Sequence, residues 1–117
     1  MSDTVTLANG LQAERINHGG EYLVRTSAPD ARPYPMKGGQ GDYIPREVYL
    51  KWTTETGADW KFYQAVITGP HVDRNGQPLP WPSTTSQTIY LGDPGYPRCE
   101  PSWLADLVKA TAPEGAA

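Results

Sequence analysis

Residues 47–68 read EVYLKWTTETGADWKFYQAVIT, and the way this stretch pairs with itself decides the fold. Val48, Leu50, Trp52 and Thr54 alternate with Glu47, Tyr49, Lys51 and Thr53. A period of two puts the first set on one face of a strand and the second set on the other. After Gly57 the alternation resumes, with Trp60, Phe62, Gln64 and Val66 set against Lys61, Tyr63, Ala65 and Ile67. Both runs are rich in β-branched and aromatic residues, which suit a pleated, half-buried surface. A β-hairpin is expected.

Parity constrains its register, because residues that pair directly share a face. A three-residue loop, Glu55-Thr56-Gly57, places Gly57 where positive φ is needed and pairs Trp52 with Trp60 and Leu50 with Phe62. It also sets Lys51 opposite Lys61. A register shifted by two residues removes that repulsion but sets Glu55 opposite Asp59. The first register is preferred. It gives a Trp52/Trp60/Phe62 core face and a second face carrying Tyr49, Tyr63, Ala65 and Ile67.

The chain has 117 residues, enough for one domain, 1–117, with a single core. Leu, Ile, Val and Phe number only 19, but twelve aromatic residues supply apolar area. Twelve Gly and twelve Pro favour short strands and turns over a helical bundle. A net charge of −3 gives no electrostatic reason to expect nucleic acid as the main partner. The single cysteine, Cys99, rules out an internal disulfide and suits a reducing compartment. The start, MSDTVTLANG, lacks a basic region followed by an apolar run, and no apolar run approaches a membrane span. The expected setting is cytoplasmic, or the host cytoplasm for a phage-encoded chain.

Residues 1–8 and 113–117 are expected to be disordered, the alternative for the first being a short edge strand through Val5 and Leu7. Residues 11–16 favour a strand over a helical turn, leading through Asn17-His18-Gly19-Gly20 into a strand over 21–26. Residues 27–46, SAPDARPYPMKGGQGDYIPR, show no periodicity and read as a long Gly/Pro-rich loop. Gly69 and Pro70 are expected to break the second strand of the hairpin. Asn75-Gly76 reads as a two-residue turn of the I′ type. Pro78, Pro80 and Pro82 confine 77–82 to an edge or a polyproline extension. Residues 83–86 read as a polar loop and 87–91 as a strand. Pro101 suits a first helical position, Glu100 precedes it, and Trp103, Leu104, Leu107 and Val108 form a helical stripe ending before Pro113. The whole reads as mainly β: five to seven antiparallel strands in a partly open barrel or sandwich, with one C-terminal helix packed on it.

The runs ITGPHVDRNGQP (67–78) and EPSWLADLVKATAP (100–113) resemble a group of small uncharacterised proteins of actinobacteria and their bacteriophages. There a hairpin with a Gly turn precedes a short strand and a terminal Pro-x-Trp-Leu helix. The resemblance covers the second half only. It implies no activity and assigns no role to any residue.

Chemistry-bearing motifs are sparse. His18, His71 and Cys99 show no paired-Cys or His-x-x-x-His spacing, so no metal or cofactor is expected. Cys99 lies beside Arg98 ahead of the helix, a setting that lowers a thiol pKa, but packing as a small apolar side chain is the simpler reading. Gly38-Gly39-Gln40-Gly41 lacks the ending of a phosphate loop. Pro94-Gly95-Tyr96-Pro97 reads as a turn. Arg25, Arg32, Lys37 and Arg46 interleave with Tyr34 and Tyr43 in and just ahead of the long loop, a mixture that adaptable protein-binding loops use and that also stacks single-stranded nucleic acid.

The resulting expectation is a small non-enzymatic protein-binding module, of the kind a phage uses as an accessory protein to engage a host protein. Its contacts are expected at Arg32, Tyr34, Lys37, Tyr43 and Arg46 of the loop and at Tyr49 and Tyr63 of the hairpin. The alternatives are a homo-oligomeric structural protein and a single-stranded nucleic-acid binder acting through the same loop.

Overall fold

A computed structural model describes residues 2–6, 12–18, 21–37, 41–54, 60–73, 75–77, 79, 83–92, 95 and 98–112. They form β1 (Ser2–Thr6), β2 (Gln12–His18), β3 (Glu21–Ser27), β4 (Tyr34–Pro35), β5 (Asp42–Tyr43), β6 (Glu47–Thr53), β7 (Lys61–Val72), β8 (Thr84–Ile89) and α1 (Leu104–Thr111). Every strand pair is antiparallel. The order is β1-β2-β3-β6-β7-β5-β4, with β8 also on β7, and among the described residues the sheet does not close. The mainly β architecture with one C-terminal helix is therefore the observed one. Residues 2–6 form an edge strand, the alternative to disorder for this segment, and 113–117 lie outside the described residues.

The central hairpin departs from the preferred register. At its tip Trp52 pairs with Phe62 and Thr53 with Lys61, which is the shifted register that keeps Lys51 away from Lys61. Beyond it Lys51 pairs with Gln64 and Leu50 with Ala65, so Tyr63 is an extra residue in a β-bulge. One extra residue inverts parity. Phe62 stays on the core side against Trp52, with ring centroids 5.5 Å apart, while Ala65 and Ile67 join Val48 and Leu50 in the core, all essentially inaccessible. Gln64 and Val66, expected inside, face outward with Tyr49 and Lys51. Trp60 lies at the margin of the core against Tyr22.

β7 also runs further than expected, through Gly69 and Pro70 to Val72. Two features let it. Ile44, Pro45 and Arg46 face only Gly69 and Pro70 between the paired residues Tyr43–His71 and Glu47–Thr68, so the missing Pro70 N–H falls at a bulge, where a strand tolerates proline. Ile44 N–H donates to the Pro70 carbonyl at 3.0 Å and Arg46 N–H to the Thr68 carbonyl at 2.8 Å. At Gly69 a side chain is impossible without movement, since a β-carbon would lie 1.8 Å from the Ile44 carbonyl oxygen.

This contact converts much of the expected 27–46 loop into structure. β4 and β5 form a short hairpin, with Tyr34 opposite Tyr43, that extends the sheet and carries Tyr34, Met36 and Tyr43 into the core. Its far end is tied to β8 by the Lys37 N–H, which donates to Gln87 Oε1 at 3.0 Å. β8 itself begins at Thr84, within the expected polar loop, because Thr84, Thr85 and Ser86 pair with Pro70, Gly69 and Thr68. The turn after β7 is not of the I′ type. Asn75 has negative φ, Gly76 has φ +76°, and Asp73 Oδ1 accepts from the N–H groups of Asn75 and Gln77 at 2.8 and 3.0 Å. The Asp73 side chain thus supplies the local bonding that an I′ turn would not need. Pro78, Pro80 and Pro82 lie outside the described residues.

Helix α1 starts at Leu104, three residues after Pro101, which instead closes a turn through its carbonyl to the Leu104 N–H at 3.1 Å. Glu100 accepts from the Gly92 N–H at 2.8 Å. Leu104, Leu107 and Val108 are buried in one cluster with Val48, Leu50, Ile67 and Ile89, and Trp103 meets the Tyr34 ring edge-on at 6.4 Å. The helix and the β4–β5 hairpin thus cover the Trp52 face. The molecule is 22 Å in its shortest dimension. That leaves room for a sheet and one covering layer, at about 10 Å per packed layer.

Gly69→Ala should lower stability by about 2–3 kcal/mol, the cost of forcing a methyl into packed backbone. Gly92→Ala, where positive φ is the only obstacle and nothing lies within 4 Å, should cost about 1 kcal/mol. Urea unfolding of both variants checks this, and equal midpoints would contradict the close approach at Gly69.

Candidate functional site

The face of the sheet opposite the helix has no covering layer among the described residues. The register lines its side chains into rows. Glu14, Arg25, Tyr49, Val66 and Thr88 form one row across β2, β3, β6, β7 and β8, and Ile16, Leu23, Lys51 and Gln64 form the next. On β2, β3, β6 and β7 these rows bound an open groove of about 390 Å³. Its floor is apolar, through the half-buried Ile16, Leu23 and Val66, and Glu14, Arg25, Tyr49, Lys51 and Gln64 rim it.

Aromatic rings and cations alternate along this rim. Arg25 Cζ lies 5.9 Å from the Tyr49 ring centroid and Lys51 Nζ 5.6 Å from that of Tyr63. Tyr63 meets Tyr90 edge-on at 6.4 Å, and Lys37 Nζ lies 5.2 Å from the Tyr90 centroid. Such exposed cation–ring contacts contribute about 0.5–1 kcal/mol each and hold the rings in place. Carboxylates answer the cations: Lys51 Nζ is 3.0 Å from Glu21 Oε1 and Arg25 Nη2 is 3.9 Å from Glu47 Oε1. Pairs this exposed add little stability. The Tyr49 hydroxyl donates to Glu47 Oε2, and that bond to a carboxylate raises the phenol pKa above its ordinary value. Among the described residues, Tyr49, Tyr63, Tyr90 and Leu91 are the large apolar side chains left exposed, Tyr63 by about half its surface.

The expected contact residues divide between two places. Tyr49 and Tyr63 lie on this rim. Lys37 joins it through Tyr90. Arg32 and Arg46 are exposed elsewhere, Arg32 with its guanidinium 6.0 Å from the Tyr34 ring centroid. Tyr34 and Tyr43 are core side chains, Tyr43 with no exposed surface at all. They cannot touch a partner while the fold is intact. Arg25, grouped with the loop cations from the sequence, lies here beside Tyr49, and sequence reasoning missed Ile16, Leu23, Lys51, Val66 and Tyr90. Alternation identifies the outward residues of each strand, but it does not say which strands lie side by side.

Other chemistry stays thin. Among the described residues no three His, Cys, Asp or Glu side chains converge as a metal site would need. Cys99 is buried. Ser83 Oγ and His71 Nδ1 stand 3.4 Å apart, a consequence of the backbone pairing in which His71 N–H donates to the Ser83 carbonyl. No helix among the described residues is long and apolar enough to cross a membrane. No family model, curated protein or solved structure matches the chain.

The buried phenol of Tyr43 has its pKa raised, first by burial and then by the neighbouring Cys99 and Tyr34. A raised folded pKa favours the neutral form. Its contribution is therefore complete below the unfolded value near 10 and is lost as pH rises through the folded value. Wild type should lose stability above about pH 10. Tyr43→Phe should flatten that loss, and at neutral pH it should cost little, because the Tyr43 hydroxyl is buried without a hydrogen-bond partner. Denaturant midpoints between pH 8 and pH 11 measure both effects.

Proposed function

We propose that the protein is a small non-enzymatic protein-binding module and that the open face of its sheet is the binding surface. The observation that carries this reading is the pairing of an apolar floor with exposed tyrosines, each beside a cation, on a face that nothing in the described chain covers. Tyrosine supplies large contact area with few rotamers to freeze, and arginine beside it adds hydrogen bonding, the combination enriched at protein interfaces. An accessory protein of a phage, engaging a protein of its host, is the biological setting consistent with the resemblance of the second half of the chain.

The electrostatics favour protein over nucleic acid. A phosphate chain is held by unneutralised Lys and Arg, and here Glu21 and Glu47 lie against Lys51 and Arg25. The loop arginine Arg32 stacks on the core residue Tyr34 and not on an exposed tyrosine of this face.

Tyr49→Ala with Tyr63→Ala should abolish capture of a partner, with folding retained because both side chains sit on the exposed face. Arg32→Ala with Arg46→Ala should leave capture within about threefold, the scale of an energetically neutral surface change. Affinity capture from a host lysate, read by mass spectrometry beside a circular dichroism melt of each variant, makes the comparison. Loss in the arginine pair with retention in the tyrosine pair would return the contact to the 27–46 segment.

A further inference from the structure

The edge of β8 that faces away from β7 pairs with no strand among the described residues. The ladder fixes what that edge presents. His71 N–H donates to the Ser83 carbonyl, so these two residues form a hydrogen-bonded pair. Antiparallel alternation then makes Gly69–Thr85, Ile67–Gln87 and Ala65–Ile89 hydrogen-bonded pairs as well. Thr84, Ser86 and Thr88 fall between them, opposite Pro70, Thr68 and Val66, and turn their N–H and C=O groups outward. Among the described residues no backbone bond outside the ladder uses those groups. An open row of this kind is a template for another strand, and natural edges are blunted by charge or proline. β8, TTSQTI, has neither. Its inner side is held in place: Ile89 is in the core, and Gln87 accepts from the Lys37 N–H and donates to Thr85 Oγ1 at 2.8 Å. Thr84 and Ser86 stay exposed.

We infer that β8 of a second copy of this chain pairs with this edge, antiparallel, about a two-fold axis at Ser86. In that register Ser86 meets its own copy and Thr84 meets the second copy's Thr88. All three outward residues of each chain are then hydrogen-bonded. On the inner face Thr85 meets the second copy's Gln87. Every one of these pairs is uncharged, and Thr and Ser hydroxyls set opposite each other are favourable. The exposed Tyr90 lies diagonal to the second copy's Thr84, within reach of an aromatic ring. Each Lys37 ammonium stands beside its own Tyr90, so the two cations lie at opposite ends of the seam. A peptide of another sequence fits less well. It draws specificity from side-chain pockets beside an edge, and residues as small and polar as Thr84, Ser86 and Thr88 frame none. Self-pairing needs no pocket, and its two-fold symmetry closes on itself. The axis runs perpendicular to the sheet, so the two open faces lie on the same side. A partner then meets two binding surfaces next to each other. The pairing itself does not depend on what the open face binds.

Sedimentation equilibrium of the purified chain tests this, carried up to about 1 mM because so small an interface belongs to the transient class. Wild type should sediment as a monomer–dimer equilibrium. S86P removes an N–H that β7 does not use, a position where an edge strand tolerates proline. It should weaken dimerisation about tenfold or more, since the axial pair loses both its bonds. S86K sets like charges opposite each other at the axis and should weaken it similarly, with recovery in high salt. S86A keeps the N–H and should stay within about threefold of wild type. Circular dichroism reports whether each variant is folded, and S86K decides the matter if S86P is not. A wild type monomeric at every concentration overturns the inference and leaves the edge to a strand of another protein. Folded S86P and S86K variants that dimerise as wild type does overturn it as well.

Discussion

At Gly69 two backbones come so close that the missing side chain is what permits the contact. The Ile44 carbonyl lies where a β-carbon would be. That approach seats the residues ahead of β6 along the same edge of β7 that β6 itself uses. Once they are seated, Tyr43 points into the core and β4 closes over it. The Tyr34 ring then offers an edge to Trp103, and the helix can settle on the same side. A single omitted methyl group thus lets the β4–β5 hairpin join the covering layer on the face that Val24, Val48, Leu50 and Ile67 make apolar.

Much of this was legible from residues alone, and the misses share one cause. Strands β2, β3 and β6 and the helical stripe are encoded by local periodicity, and their buried positions Tyr22, Val24, Val48, Leu50, Leu104 and Leu107 are those the pattern marks. Parity reasoning failed on β7 because it assumes an unbroken alternation, and Tyr63 interrupts it. The long segment 27–46 looked aperiodic because its order comes from contacts with β7, β8 and α1, all distant in sequence. Gly69 and Pro70, read as breakers, lie at the close approach and within the bulge that accommodate them. Tyr34 and Tyr43 resembled binding residues for the same reason: their flanks are polar and glycine-rich, and only the tertiary contacts reveal them as core. Tyr49 and Tyr63 were found because alternation placed both away from Trp52.

The two faces of the sheet differ in how their polar groups are treated. Inside, the hydroxyls of Tyr34 and Tyr43 and the indole nitrogens of Trp52 and Trp103 are buried without hydrogen-bond partners, an arrangement that costs stability and marks a core chosen for ring area more than for polar matching. Outside, each ring has a cation beside it, and Arg25 and Lys51 have carboxylates as well. The exposed rings are therefore held in place before any partner arrives, which lowers the entropy lost on association.

The bulge at Tyr63 gives this strand an unusual sensitivity to length. Adding or removing a residue in a surface loop usually changes little, because closure entropy varies slowly with loop size. Within β7 the same change is a change of phase. Without the extra residue, either the hairpin tip or the remainder of the strand would turn over, exchanging Ala65 and Ile67 for Gln64 and Val66 across the sheet and carrying the pairing with β8 along. The position is half exposed, and its side chain packs on a neighbour's edge. It constrains the number of residues in the chain far more than the identity of the one that stands there.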